Sequence, residues 1–191
     1  MGRRPNTEQR RGEIVDALHL ELAECGYERA SIKSIAERAG LASGLVHYHF
    51  RNKEEILLVL LDRLIAEADQ RYEQASAACV FPGDRLRAYA SARLGFGDHA
   101  QAQQVQAWVS IIAEVIGQPA VRERVSTWMN GDHAMLSKLF KKAGAESPRA
   151  HASMLLAIIL GAFSLHSIDV KRVRPRYALE QTLDWLEQLL G

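Results

Sequence analysis

The sequence predicts an all-α protein of about nine helices, and three observations carry that expectation. Ala, Leu, Glu, Arg and Gln dominate the composition, while Val, Thr and Tyr never form the alternating run of a half-buried strand. Apolar side chains recur at three- and four-residue spacing between breaks marked by Gly, Pro and capping residues, which winds them onto single helix faces. The 191 residues also leave room for a small unit attached to a larger one, because domains most often run to roughly 100–150 residues.

The first helix can be capped by Asn6 or Thr7, with Gln9 placed to complete a capping box on Asn6. Ile14, Val15, Leu18 and Leu22 form its apolar face and Gly26 is its stop. Ser31 caps a short second helix in which Ile32, Ile35, Ala36 and Ala39 share a face, and Gly40 closes it. A three-residue turn leads to a third helix of about two turns, from Ser43 to Phe50. Asn52 and Glu55 have the spacing of a capping box for the fourth helix, whose core stripe is Ile56, Leu57, Leu60, Leu61 and Leu64. "VFPGD" at 80–84 ends that helix, and the further breaks "GFGDH", "GQP", "AGAESP" and "VRP" delimit five more.

Helices two and three have the dimensions of a helix-turn-helix. At about 100° per residue, Val46 and Phe50 take the inward side of helix three, while Gly44, Leu45 and Tyr48 point outward and His47 and His49 occupy the flanks. Such a surface suits a DNA groove. Gly44 permits close approach, Leu45 can meet a thymine methyl, Ser43 can reach a base edge, and Tyr48 and the histidines can donate to phosphates. Lys53, a cation in the first turn of helix four, opposes the helix dipole until an anion approaches. With the free N–H groups there it forms one phosphate site, and Ser31 and Lys33 at the start of helix two form another. His47 and His49 stand two residues apart and do not share a helix face, which argues against a metal pair.

The net charge of +1 decides nothing, although residues 1–53 carry nine Lys/Arg against seven Asp/Glu. "MGRRPNTEQRR" has no apolar segment behind it and is not a targeting peptide, so the chain is expected in the cytoplasm. The longest apolar run, Met154 to Leu165, is about half the roughly 20 residues a membrane span needs, so no membrane association is expected. Cys25 and Cys79 read as free thiols in a reducing compartment. No metal and no cofactor is expected.

The stretch "ASIKSIAERAGLASGLVHYHFRNKEEIL" resembles the DNA-binding domain of the TetR family of bacterial transcriptional regulators. The likeness covers about residues 8–60, and the nine-helix count agrees with it. It implies a helix-turn-helix domain over 1–52 and a helical ligand-binding and dimerisation domain over 53–191. Position by position, it implies phosphate contacts at Ser31, Tyr48, His49 and Lys53, and groove or base contacts at Lys33, Ser43, Gly44, Leu45 and His47. Two positions depart from the family's pattern. Ala42 stands where a capping Ser is common, and His47 stands where Tyr is usual. The C-terminal part, around "VQAWVSIIAEVIGQPAVRERVSTW", is similar to the subgroup containing the betaine-pathway regulator.

Regulators of this family work as dimers on two half-sites, with recognition helices about one DNA turn apart, roughly 34–36 Å. The dimer is expected from the last two long helices, through Met154, Ala157, Ile158, Gly161, Ala162 and Leu165 on one, and Leu179, Leu183, Leu186 and Leu190 on the other. A pocket for a small-molecule effector is expected among helices four to eight, lined from Phe96, His99, Trp108, Glu114, Trp128, Met129, His133 and His166. A buried Glu114 beside the Trp108 and Trp128 faces would favour a cation. The function implied is a homodimeric repressor released from double-stranded operator DNA by that effector; an activator reverses the sign. The alternatives are a small helical enzyme, for which no catalytic motif is present, and an interaction module without DNA binding, which leaves Lys53 and the outward Tyr48 without a purpose.

Overall fold

The computed structural model describes residues 4–95, 99–115, 117–168 and 176–191, without the side chains of 4–6 and 99–102. Nine helices lie among the described residues: α1 (Arg4–Cys25), α2 (Ile32–Arg38), α3 (Ser43–His49), α4 (Lys53–Ser76), α5 (Pro82–Leu94), α6 (His99–Glu114), α7 (Pro119–Lys142), α8 (Pro148–Ile168) and α9 (Tyr177–Leu190). The expected all-α class and helix number hold among the described residues.

Several boundaries differ from the sequence expectation. α1 begins at Arg4, so Asn6 and Thr7 lie inside its first turn and do not cap it. Pro5 explains the shift, because a proline is tolerated in a first turn, where its missing N–H would have no intrahelical partner. α4 stops at Ser76, before the Pro82 break, and α3 stops at His49 with Phe50 as its C-cap. Pro82, Pro119 and Pro148 each open a helix, as their fixed φ favours. The break at "VRP" lies outside the described residues.

The chain divides into two compact units, Met1–Leu64 with Gln103–Arg124, and Ile65–Ala102 with Val125–Gly191. In the first unit α1, α2 and α3 pack on one another. Their core is Ile14, Leu18, Leu22, Ile35, Val46 and Phe50, each almost fully buried, joined by Ile56, Leu57, Leu60 and Leu61 from the start of α4. Ser110 of α6 donates its hydroxyl to the Leu22 carbonyl at 3.2 Å, which ties α6 to the end of α1.

In the second unit α5, α8 and α9 pack together. Leu155, Ile159 and Phe163 on α8, and Leu179 and Leu186 on α9, fill its interior. Its polar centre is Arg93, which pairs with Asp69 at 2.7 Å and Asp132 at 3.1 Å, while the Tyr89 hydroxyl donates to Asp132. Burial pushes the Asp132 carboxyl above its usual range, and the Arg93 charge pulls the other way. α8 is long and apolar enough, by length and composition, to cross a membrane. One face is nonetheless occupied within the unit, and Met154, Leu165 and Ile168 line the other, at 47%, 56% and 81% exposure.

Candidate nucleic-acid interface

The helix-turn-helix is built by local chemistry. Ser31 sits in extended backbone before α2, and its hydroxyl accepts from the Ser34 N–H at 3.0 Å. The Ser34 hydroxyl in turn accepts from the Ser31 N–H at 3.0 Å, so the capping box closes through a second serine instead of Glu or Gln. At the other end Gly40 adopts φ +66°, and the Leu41 N–H reaches the Ala36 carbonyl at 2.9 Å. That left-handed exit is the glycine's function here, since a Cβ at such φ is strained.

α3 starts without a side-chain cap: Ala42 holds the N-cap position, and Ser43 is the first helical residue. Val46 and Phe50 are buried as expected, while Leu45 and Tyr48 are exposed by 36% and 71%. Gly44, His47 and Ser43 are exposed as well, and His49 is half-buried with its ring edge-on to Tyr48 at 5.1 Å. Nothing lies within 4 Å of a Cβ built on Gly44, so the helix surface there is open to a close approach. Ser31 and Lys33 are exposed at the start of α2, with Lys33 4 residues before Glu37 and 3.9 Å from its carboxylate.

Asn52 caps α4 by accepting from the Glu55 N–H at 2.8 Å, and Glu55 reaches back to the Arg51 N–H at 2.8 Å. Lys53 turns inward. Its Nζ donates to the carbonyls of Tyr27 and Ala30, both at 2.7 Å, and lies 3.9 Å from the centre of the Tyr27 ring. Burial draws its pKa below the ordinary lysine range, opposed by the charges of Glu114 and Glu28.

Two residues of this site escaped the sequence reading. Arg11 donates to the His49 carbonyl, lies 4.0 Å over the Phe50 ring and meets Glu55 at 3.6 Å, so it fastens the end of α3 to α1 and α4. Its signal was present: Arg11 precedes Ile14, Val15 and Leu18 on the apolar stripe of α1, where a cation needs a purpose. Tyr27 is the second, and only its place after Gly26 marked it.

The expected pocket residues divide between the units. Trp108 is buried and Glu114 half-buried in the first, where Gln118 donates to the Glu114 carboxylate at 2.8 Å. Trp128, Met129, His133 and His166 belong to the second. The Trp128 ring lies 5.4 Å from the Arg93 guanidinium, His166 is buried, and His133 Nε2 is 3.2 Å from the Arg149 carbonyl and 3.1 Å from the Ser153 hydroxyl. Phe96 and the His99 side chain lie outside the described residues. Of the expected dimer residues, Ala162, Leu179 and Leu186 are buried within the chain. Ile158, Leu183 and Leu190 are half-buried, and Met154, Ala157, Gly161 and Leu165 are exposed.

Comparison with known proteins agrees with this architecture. Residues 14–60 match the family described as "Bacterial regulatory proteins, tetR family", and residues 82–191 match "BetI-type transcriptional repressor, C-terminal". The chain is 27% identical over 195 residues to the HTH-type transcriptional regulator BetI of Burkholderia mallei, covering 96% of this chain and 95% of that one. It is 26% identical over 189 residues to BetI of Pseudomonas paraeruginosa, covering 95% and 93%. Among solved structures, a transcriptional regulator from Rhodococcus sp. Rha1 superposes with a TM-score of 0.86 at 23% identity, covering 94% of this chain and 95% of that one. A transcriptional regulator from Saccharomonospora viridis, solved in complex with choline, superposes with a TM-score of 0.80 at 21% identity, covering 94% and 96%. With both parts matched and the recognition helix built as described, the chain belongs to the TetR family of bacterial regulatory proteins, as a DNA-binding transcriptional repressor with a BetI-type C-terminal part.

Proposed function

We propose that the protein works as a homodimer in the cytoplasm, holding its operator through residues 1–52 and leaving it when residues 53–191 take up a small molecule. The observation that carries the DNA contact is α3 itself: a helix seated by Val46 and Phe50 turns Leu45 and Tyr48 to solvent, where large apolar groups have no folding purpose. In the complex, Leu45 and Ser43 meet base edges, with Gly44 allowing the approach. Tyr48, His49 and Ser31 contact phosphates, and Lys33 and His47 lie along the groove.

The exposed face of α8 supports the dimer. Met154, Ile158, Gly161, Leu165 and Ile168 follow one another at spacings of four, three, four and three residues, the seam of two paired helices. Leu183 and Leu190 of α9 are half-buried and complete the apolar surface available to a second copy.

The effector belongs to a small-molecule class for which choline is the first compound to try, because a structural neighbour holds it. Trp128 and Tyr89 offer ring faces, although Arg93 already stands 5.4 Å and 5.0 Å from them. The test is fluorescence anisotropy against duplexes tiling the DNA upstream of the protein's own gene, at two salt concentrations with random competitor. One tile binding orders of magnitude more tightly than the rest supports the repressor reading and supplies the assay for effectors. Equal binding of all tiles only at low salt overturns local operator control.

A further inference from the structure

We propose that Arg11 is a positioning residue for recognition of the operator: it holds the C-terminal end of α3 in the pose from which Tyr48 and His49 meet DNA, without contacting DNA itself. The proposal rests on the contacts proposed above for Tyr48 and His49 and deepens them by naming what aims them. Arg11, the whole of α3 and the first turn of α4 lie in one compact unit.

The last carbonyls of a helix have no intrahelical donor, and a nearby arginine can satisfy one while complementing the negative end of the dipole. Arg11 does this for α3. Its Nη1 donates to the carbonyl of His49, the last residue of that helix. Two further groups hold the guanidinium in place: its carbon lies 4.0 Å from the centre of the Phe50 ring, and Nη2 is 3.6 Å from the Glu55 carboxylate. Both anchors are themselves fixed. Phe50 is buried, and Glu55 accepts from the Arg51 N–H at 2.8 Å while its own N–H donates to the Asn52 side chain at 2.8 Å. From its place on α1, the cation therefore spans the turn that joins α3 to α4.

α3 has seven residues and no side-chain cap at its start, so its direction depends on how its other end is tied. The carbonyl that Arg11 holds belongs to His49, whose ring stands edge-on to Tyr48 at 5.1 Å. A shift of that carbonyl moves both side chains. The task also needs an arginine, because a planar guanidinium stacks on Phe50 while its edge serves the carbonyl and the carboxylate. A lysine keeps the charge and loses the plane. With the guanidinium committed to these protein groups and its side chain only 28% exposed, Arg11 belongs with the determinants of specificity rather than with the phosphate contacts.

The test measures Arg11→Lys against wild type on the operator duplex and on a random duplex, at one low salt concentration, with thermal melts to establish folding. Operator affinity is expected to fall about three- to tenfold, and affinity for the random duplex by less than about twofold. In a background carrying Tyr48→Ala and His49→Ala, the same change should alter operator affinity by less than about twofold, because the groups being aimed are gone. An unchanged operator affinity, an equal loss on both duplexes, or an equal loss in both backgrounds overturns the positioning role. If Arg11→Lys melts below the assay temperature, Glu55→Gln takes its place with the same outcomes, since it removes the charge facing Nη2 and still accepts from the Arg51 N–H. If the wild type binds no duplex, or loss of both Tyr48 and His49 side chains leaves affinity unchanged, the reading of those contacts fails by itself and hydrogen exchange judges the positioning. Amides of residues 47–50 exchanging at least about threefold faster in Arg11→Lys support it, and unchanged rates overturn it.

Discussion

At the scale of single residues, exposure separates what holds the fold from what is proposed to meet DNA. Tyr48 is 71% exposed, so Tyr48→Ala should change unfolding free energy by less than about 0.5 kcal/mol while lowering operator affinity about tenfold or more. Phe50, two residues on, is buried, and Phe50→Ala should cost about 3–5 kcal/mol in urea unfolding. A third residue is charged and still structural. Glu21 is buried on α1 and accepts from Arg38 Nε at 2.6 Å; burial pushes its pKa up, and the hydrogen bond and charge of Arg38 outweigh this and bring it below the ordinary value of 4.5. Because the folded pKa lies below the unfolded one, this stability is present above pH ~4.5 and is lost as pH falls through the folded value. Arg38→Met should therefore cost about 1–3 kcal/mol at pH 7, and urea melts at pH 3 should show a smaller gap from wild type. The sequence disclosed Val46, Phe50, Leu45 and Tyr48 correctly because three-dimensional side follows from 100° per residue. It did not disclose that Lys53 turns inward, since the carbonyls that receive it lie 23 and 26 residues away. Arg93 and Asp132 were invisible for the same reason, being 39 residues apart.

At the scale of elements, short-range signals were reliable wherever donor and acceptor lie within a turn. Ser31 before α2 and Asn52 before α4 both cap as their spacing implies. Ser31→Ala should cost about 1 kcal/mol of stability, read by denaturant unfolding. Gly40→Ala should cost about 1–2 kcal/mol through backbone conformation alone, because an added Cβ meets no atom within 4 Å. The start of α1 was misplaced because Asn6 and Thr7 look like caps, while Pro5 permits the helix to begin before them. α8 carries two apolar faces on one helix, and its composition could not say which face was already covered. Packing by α5 and α9 resolves that, leaving the Met154 to Ile168 seam outward.

At the scale of the whole molecule, the homodimer proposed above rests on that seam. Met154→Glu with Leu165→Glu should convert the dimer to monomer in analytical ultracentrifugation, and operator affinity should then fall by at least about a hundredfold as the two half-sites lose their linkage. A variant that remains dimeric would place the interface elsewhere. The missing side-chain cap of α3 has its consequence at this scale too. A seven-residue helix whose first turn lacks a side-chain cap has less local stabilisation of its own, and in the proposed complex the duplex would add groups that order it. In a dimer the ordering occurs twice for each operator bound. Calorimetry should therefore find a heat capacity of association more negative than the buried area of two rigid recognition helices accounts for, and Ala42→Ser should bring it closer to that rigid value.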